Sequence, residues 1–181
     1  MSTPTLDDRL AELVGRPIGD TGPSRAPDPV NMPMIRHWAA AFEDWNPVYT
    51  DADAAKQSRF GEIVAPPLML QTWTMATPRI TGMAERGGSP TEGGRALVLD
   101  LLDEAGYVAT LASNSEFEIK RYLRVGDDVT ATTLLESVSA EKQTRIGRGY
   151  FNTWATTYTV GDEVVGTQKF RILKFRPEAP S

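Results

Sequence analysis

The chain has 181 residues, 40% hydrophobic and 24% charged, with 15 Gly, 13 Pro, one His and no Cys. That apolar share is ordinary for a folded domain and excludes wholesale disorder and collagen-like structure; the missing Cys excludes disulfides, thiolate nucleophiles and Cys-ligated zinc, and a single His excludes a multi-His metal site within this chain. The net charge of −5 argues against a nucleic-acid-binding module, which carries a basic footprint. No run reaches the roughly 18 apolar residues of a membrane span, and Met1–Asp8 lacks the basic and apolar regions of a secretory signal, so the expectation is a cytoplasmic protein with neither a nucleic-acid nor a membrane partner.

Thr5 to Val14 reads as a short helix, with Thr5 as cap and Asp7 and Asp8 in its first turn. Gly15 to Pro29 is Gly- and Pro-rich and reads as loop. Asn31 then looks like an N-cap, followed at helical spacing by an apolar stripe of Met34, Ile35, Trp38, Ala41 and Phe42. Asp51 to Ser58 forms another short helix. Pro66-Pro67 opens the most apolar helix, Leu68 to Ala76, which Pro78 ends; apolar nearly all round, it reads as buried. Arg86 to Gly94 is a Gly-rich loop, and Ala96 to Ala105 a further helix.

From Tyr107 the period changes to that of strands, over about Thr110–Leu123, Asp127–Ser139, Arg148–Val160 and Glu163–Phe175. In the third, Tyr150, Trp154, Tyr158 and Val160 share one face. Gly126-Asp127 and Gly161-Asp162 are turn pairs. The layout is α+β, an antiparallel meander laid over a buried helix. The domain reading is an N-terminal helix and loop over 1–30, a main domain over 31–176, and a linker over 177–181. No Walker loop or GxGxxG occurs, so nothing supports nucleotide hydrolysis or NAD chemistry.

The residues also carry a resemblance. Asp44-Trp45-Asn46-Pro47-Val48-Tyr49-Thr50-Asp51 resembles the Asp-x-Asn-Pro-x-His-x-Asp motif of MaoC-like (R)-specific enoyl-CoA hydratases. Phe60-Gly61-Glu62-Ile63-Val64-Ala65-Pro66-Pro67-Leu68-Met69 resembles that family's entry into its central helix. Gly126-Asp127, Gly147 to Phe151 and Phe170 to Phe175 are similar to the N-terminal type of MaoC-like dehydratase domain, above all that of the larger subunit of actinobacterial steroid side-chain enoyl-CoA hydratases. The resemblance covers about Asn31 to Pro177. It implies a hot-dog fold, in which an antiparallel sheet wraps a long central helix, and hydration of an α,β-unsaturated acyl-CoA with no cofactor, the CoA thioester being the substrate.

Two departures stand out. Asp44 fits the family's catalytic Asp, but Tyr49 stands where the family has His. A phenol with a pKa near 10 is a poor general base at neutral pH beside an imidazole at about 6.5. The family holds the thioester oxygen on a backbone N–H at a Gly opening the central helix; here that position is Pro67, which has no N–H. The implied reading is a catalytically degenerate hot-dog subunit that shapes the acyl and CoA site, opened for a bulky group such as a steroid. A smaller MaoC-like partner would carry the Asp-x4-His pair. The resembled subunits continue into a DUF35-type OB-fold domain that docks a thiolase-like aldolase, so a chain ending at Pro177–Ser181 is expected to be cut before such a domain.

Each candidate has a plainer reading. Asp44 could simply organise the turn before Asn46-Pro47, and Tyr49 could be a packed aromatic instead of a tunnel wall. His37, seven residues before Asp44, would share its face if the helix ran that far, giving a His–Asp pair; otherwise it is a surface residue. Trp73, Met69 and Met75 read as core residues, with Trp73 the alternative candidate for tunnel lining, while Ala65, Pro66 and Pro67 are expected at the substrate and CoA site. Lys120, Lys142 and Arg148 are the cations favoured for CoA phosphates, against scattered surface charges, with Arg121, Arg124 and Arg145 nearby. Rival functions are a self-sufficient hydratase, an acyl-CoA thioesterase, and a non-enzymatic acyl-CoA-binding scaffold.

Overall fold

The computed structural model describes residues 4–17, 22–75, 80–82 and 96–177. The expected loop over Arg86–Gly94, the stop at Pro78 and the tail beyond Pro177 lie outside these residues. The α-helices among the described residues are α1 (Leu6–Ala11), α2 (Met32–Phe42), α3 (Ala52–Gln57) and α4 (Leu97–Glu104). Strands are β1 (Ser24–Arg25), β2 (Ala109–Ile119), β3 (Val129–Val138), β4 (Lys142–Thr144), β5 (Gly147–Val160) and β6 (Glu163–Pro177). Among the described residues no helix is long and apolar enough to cross a membrane.

The helix starts follow local chemistry. Thr5 and Asp8 form a reciprocal capping box at α1, and the Asn31 side chain accepts the Met34 N–H at 3.1 Å to open α2. Asp51 caps α3 by accepting the N–H groups of Asp53 and Ala54. Helix α2 stops at Glu43, whose φ of 52° is left-handed. Only part of the α2 stripe turns inward: Ile35 is buried and Trp38 half-buried, while Met34, Ala41 and Phe42 face outward, and Ala39, outside the expected stripe, is buried.

All six strands form one antiparallel sheet, in which β1, β3, β5, β6 and β2 lie side by side and β4 pairs the start of β5. The expected meander holds for β3, β5 and β6 only; β2 pairs β6, not β3. The cause is the 120–128 connection, which does not close as a hairpin. Its backbone bonds elsewhere, Leu123 accepting the Ala65 N–H and Gly126 donating to Val30, both at 2.8 Å, which carries the chain from one edge of the sheet toward the other.

The expected central α-helix over 68–76 is instead a 3-10 helix, Pro67–Thr74. Its N-cap, Pro66, offers no side-chain acceptor, two prolines withdraw donors, and Thr72, Trp73 and Thr74 are weak helix formers. It still occupies the central place. Met69, Leu70 and Trp73 pack with Ala131, Tyr158 and Val165 of the sheet as one core. A second core joins Leu10 of α1 and Leu102 of α4 to Leu135 and Tyr150 at the other end of the sheet. Residues ahead of Asn31 belong to the same body, since Ala26 and Val30 lie in the first core and Ser24–Arg25 pair with β3.

Candidate active site and acyl cavity

The Asp44–Tyr49 segment is a tight turn followed by a short 3-10 helix, Pro47–Tyr49. Asp44 is half-buried, and its carboxylate accepts the Asn46 N–H at 3.3 Å. Asn46 in turn accepts the Val48 N–H at 3.3 Å. This chain of Asx turns fixes the backbone that delivers Tyr49 inward. Because α2 ends at Phe42, Asp44 sits beyond the helix and His37 lies exposed on it. The expected shared helical face for His37 and Asp44 is therefore not formed; Glu43 turns the chain away first.

Tyr49 is buried in the first core. Burial raises its phenol above the ordinary value, the Asp44 and Tyr122 charges raise it further, and a hydrogen bond with Asn46 opposes them in part. At neutral pH it is a neutral phenol and cannot accept a proton from water. Arg59 lies over the Phe60 ring at 4.8 Å, and Phe60 stacks on Tyr122 at 4.8 Å, so a guanidinium stands beside the motif. Sequence reading overlooked Arg59, although an Arg next to an aromatic in the second motif was a legible signal.

At the entry to the central helix, the Ala65 N–H is already bound to Leu123 O. Pro66 is buried, and Pro67 starts the helix. Ala65, Pro66 and Pro67 together present no backbone donor to a thioester oxygen. Trp73 is buried in the core, and its indole Nε1 has no hydrogen-bond partner.

The three cations do not come together. The Lys120 backbone bonds Val165 at the start of β6, whereas Arg148 pairs Arg176 near its end. At about 3.3 Å per residue those points are roughly 35 Å apart, so Lys120 cannot share a phosphate with Lys142 and Arg148. The last two are neighbours on the β4–β5 hairpin, both exposed, with Arg148 donating to Gln143. Arg121 pairs with Asp127 and Glu163, and Arg124 with Glu62.

A cavity of about 380 Å³ opens between the end of the central helix and the inner face of β3, β5 and β6. That is within the usual range for small-molecule sites. Met75 lines it, as do Ala131, Trp154, Tyr158, Gln168 and Phe170. Trp73 does not reach it. None of these residues is among the sequence-predicted site residues; Met75, expected in the core, is exposed at the cavity instead. The strand alternation that put Trp154 and Tyr158 on one face could have extended the list.

The model of a family described as FAS1-like, dehydratase domain region, matches residues 15–168. A probable enoyl-CoA hydratase alpha subunit from Thermomonospora curvata is 44% identical over 179 residues, 98% of this chain and 54% of that protein. The 3-oxo-4,17-pregnadiene-20-carboxyl-CoA hydratase alpha subunit of Mycobacterium tuberculosis is 40% identical over 172 residues, 95% of this chain and 52% of that protein. The chain thus spans about half the length of these curated relatives. Among solved structures, a chain of the ChsH1-ChsH2 complex from Mycobacterium tuberculosis superposes with a TM-score of 0.81 at 35% identity, covering 97% of this chain and 93% of that one. The MaoC-like dehydratase from Rhodospirillum rubrum, at a TM-score of 0.56 and 19% identity over 90% of this chain and 94% of its own, has the same fold. A sheet closed over a short central helix, the Asp44–Asp51 motif and the match over 15–168 agree: the chain is an α+β hot-dog of the MaoC-like type and belongs to the FAS1-like dehydratase region family.

Proposed function

We propose that this chain is the substrate-binding, catalytically degenerate half of a heteromeric enoyl-CoA hydratase. The reaction is addition of water across an α,β-unsaturated acyl-CoA, and the acyl group is the shortened side chain of a steroid. The observation that carries the reading is Tyr49: a buried phenol, raised above its ordinary pKa, stands where the chemistry needs an imidazole. The prolines at 66 and 67 point the same way, because the thioester oxygen gathers negative charge as water adds and finds no donor there. A smaller hot-dog partner with an Asp-x4-His pair would take the proton from water and return it to the carbon beside the thioester. The names of the relatives support the steroid class and the alpha-subunit role.

Two surfaces suit such a partner. Strand β2 ends the sheet and is exposed along nearly its whole length, so a second sheet could continue across it. Beside Asp44, Met34, Phe42 and Trp45 present an exposed apolar face. In this reading the half of the relatives that the chain does not span holds the OB-fold domain that docks a thiolase-like aldolase.

The test is co-purification with a hot-dog partner, followed by substitution on each side. Replacing the partner's motif His should abolish hydration, and Tyr49→Phe here should leave it within about twofold. Loss of activity on Tyr49→Phe with the complex intact, or release of free CoA thiol in place of hydration, would contradict the reading.

A further inference from the structure

At one end of the sheet two like charges face each other. The β5–β6 register sets Arg148 directly opposite Arg176, and the β4–β5 register sets Gln143 opposite Arg148. Side chains so placed across antiparallel strands stand about 5 Å apart at Cβ, and like charges in that relation repel. Both arginines are exposed. Among the described residues neither forms an ion pair with a carboxylate, unlike Arg9, Arg25, Arg121 and Arg124. Neighbouring carboxylates are engaged elsewhere: Asp103 with Lys174, Glu104 with Arg9, and Glu141 with the Tyr107 hydroxyl at 2.6 Å.

Neutral partners hold both guanidinium groups in place. Arg176 donates through Nη2 to Ala105 O at the end of α4, and its guanidinium lies over the Tyr107 ring, 4.3 Å from the centroid. Gly106 lets that side chain pass, since a Cβ there would stand 3.3 Å from Arg176 Nε. Arg148 donates through Nε to Gln143 Oε1 at 3.1 Å. Among the described residues nothing accepts from either Nη of Arg148 or from Nη1 of Arg176. A guanidinium fork fixed at one edge and open at the other is preorganised for an oxyanion. Packing onto α4 accounts for Arg176; it does not account for a second arginine facing it. Arg145, exposed in the β4–β5 turn, adds positive charge at this end, whereas Lys142 pairs Gly149 and lies on the other face of the hairpin.

We infer that Arg148 and Arg176 form a binding site for a dianionic phosphate group, which sits between the two forks and neutralises their repulsion. Free phosphate and a phosphomonoester such as the 3′-phosphate of CoA share that chemistry. The site includes neither Tyr49 nor any residue lining the acyl cavity, so the inference stands apart from the hydratase reading.

The test is titration of the full chain with inorganic phosphate and, separately, with adenosine 3′,5′-bisphosphate, followed by the arginine Nε–Hε resonances in NMR spectra. The resonances of Arg148 and Arg176 should shift saturably and together, and phosphate should raise the unfolding temperature. Arg148→Gln should weaken binding roughly tenfold, as loss of charge-assisted hydrogen bonds implies. Because Arg148 is exposed and bonds only Gln143, this variant should keep the native unfolding temperature in phosphate-free buffer. Arg148→Lys, which keeps the charge and loses the fork, should bind with intermediate affinity. Tighter binding of the bisphosphate than of phosphate at the same two resonances supports the site with a phosphomonoester as its ligand; equal affinity supports it with free phosphate. Shifts that do not saturate, that spread evenly over the exposed arginines, or that survive Arg148→Gln unchanged would overturn the inference. Hydration activity does not enter the readout, so either reading can fail while the other stands.

Discussion

Tyr49 is the side chain on which the proposed division of labour turns. Its place in the motif is retained: the Asx turns at Asp44 and Asn46 still aim it inward. What stands there is a phenol, and in the proposed reading the group that titrates near neutrality belongs to the partner. Lys174 is a second informative residue. It is buried on β6, paired with Asp103 of α4 and donating to Val108 O at 3.2 Å. Removing one member of a buried pair strands the other, so Lys174→Ala should destabilise by about 3 kcal/mol, while Lys174→Met combined with Asp103→Leu should cost far less. Denaturant midpoints of the three proteins check this. Tyr158 supplies a pH signature. Burial pushes its phenol up to about 12 from an ordinary 10, so the folded state holds the proton more tightly than the unfolded one. Its contribution is therefore complete below pH 10 and is lost as pH rises from 10 to 12. Tyr158→Phe should flatten that part of the stability-against-pH curve; an unchanged curve would contradict the assignment.

At the scale of elements, caps and turns were the most legible features. Thr5, Asn31 and Asp51 announce their helices by local hydrogen bonds that need no tertiary information. Strands β3, β5 and β6 follow from alternation and from the Gly161-Asp162 turn. The position of β2 was not legible, because it depends on where the 120–128 connection finds backbone partners, and those lie far away at Val30 and Ala65. Nor was the 3-10 winding of the central segment: apolar composition says that a segment is buried, not which hydrogen-bond spacing it uses. The candidate motif was readable from Asp44 and Tyr49, but the facing arginines were not, since Arg148 and Arg176 meet only through strand register. Register also explains Gly149. A Cβ there would lie 2.2 Å from Lys174 O and 2.7 Å from Phe175 Cβ, so Gly149→Ala should force β5 from β6 and cost roughly 2 kcal/mol in unfolding free energy.

At the scale of the whole molecule, the sheet joins two cores, one around the central 3-10 helix and one beneath α1 and α4, with the cavity opening between them. Beyond the end of the central helix, Thr133, Thr156 and Gln168 of the sheet line that cavity. The motif region carries Tyr49 and the two prolines at 66 and 67, while among the described residues the outer surface keeps an open β2 edge and an apolar patch at Met34, Phe42 and Trp45. These features fit together if binding and chemistry are divided between two chains. The most direct measurement is a titration: the rate of water addition to a steroid side-chain enoyl-CoA, followed as this chain is mixed with a hot-dog subunit bearing Asp-x4-His. The account predicts no hydration by this chain alone and a rate that rises to a stoichiometric break as the partner is added. Hydration at full rate by this chain without a partner would contradict it.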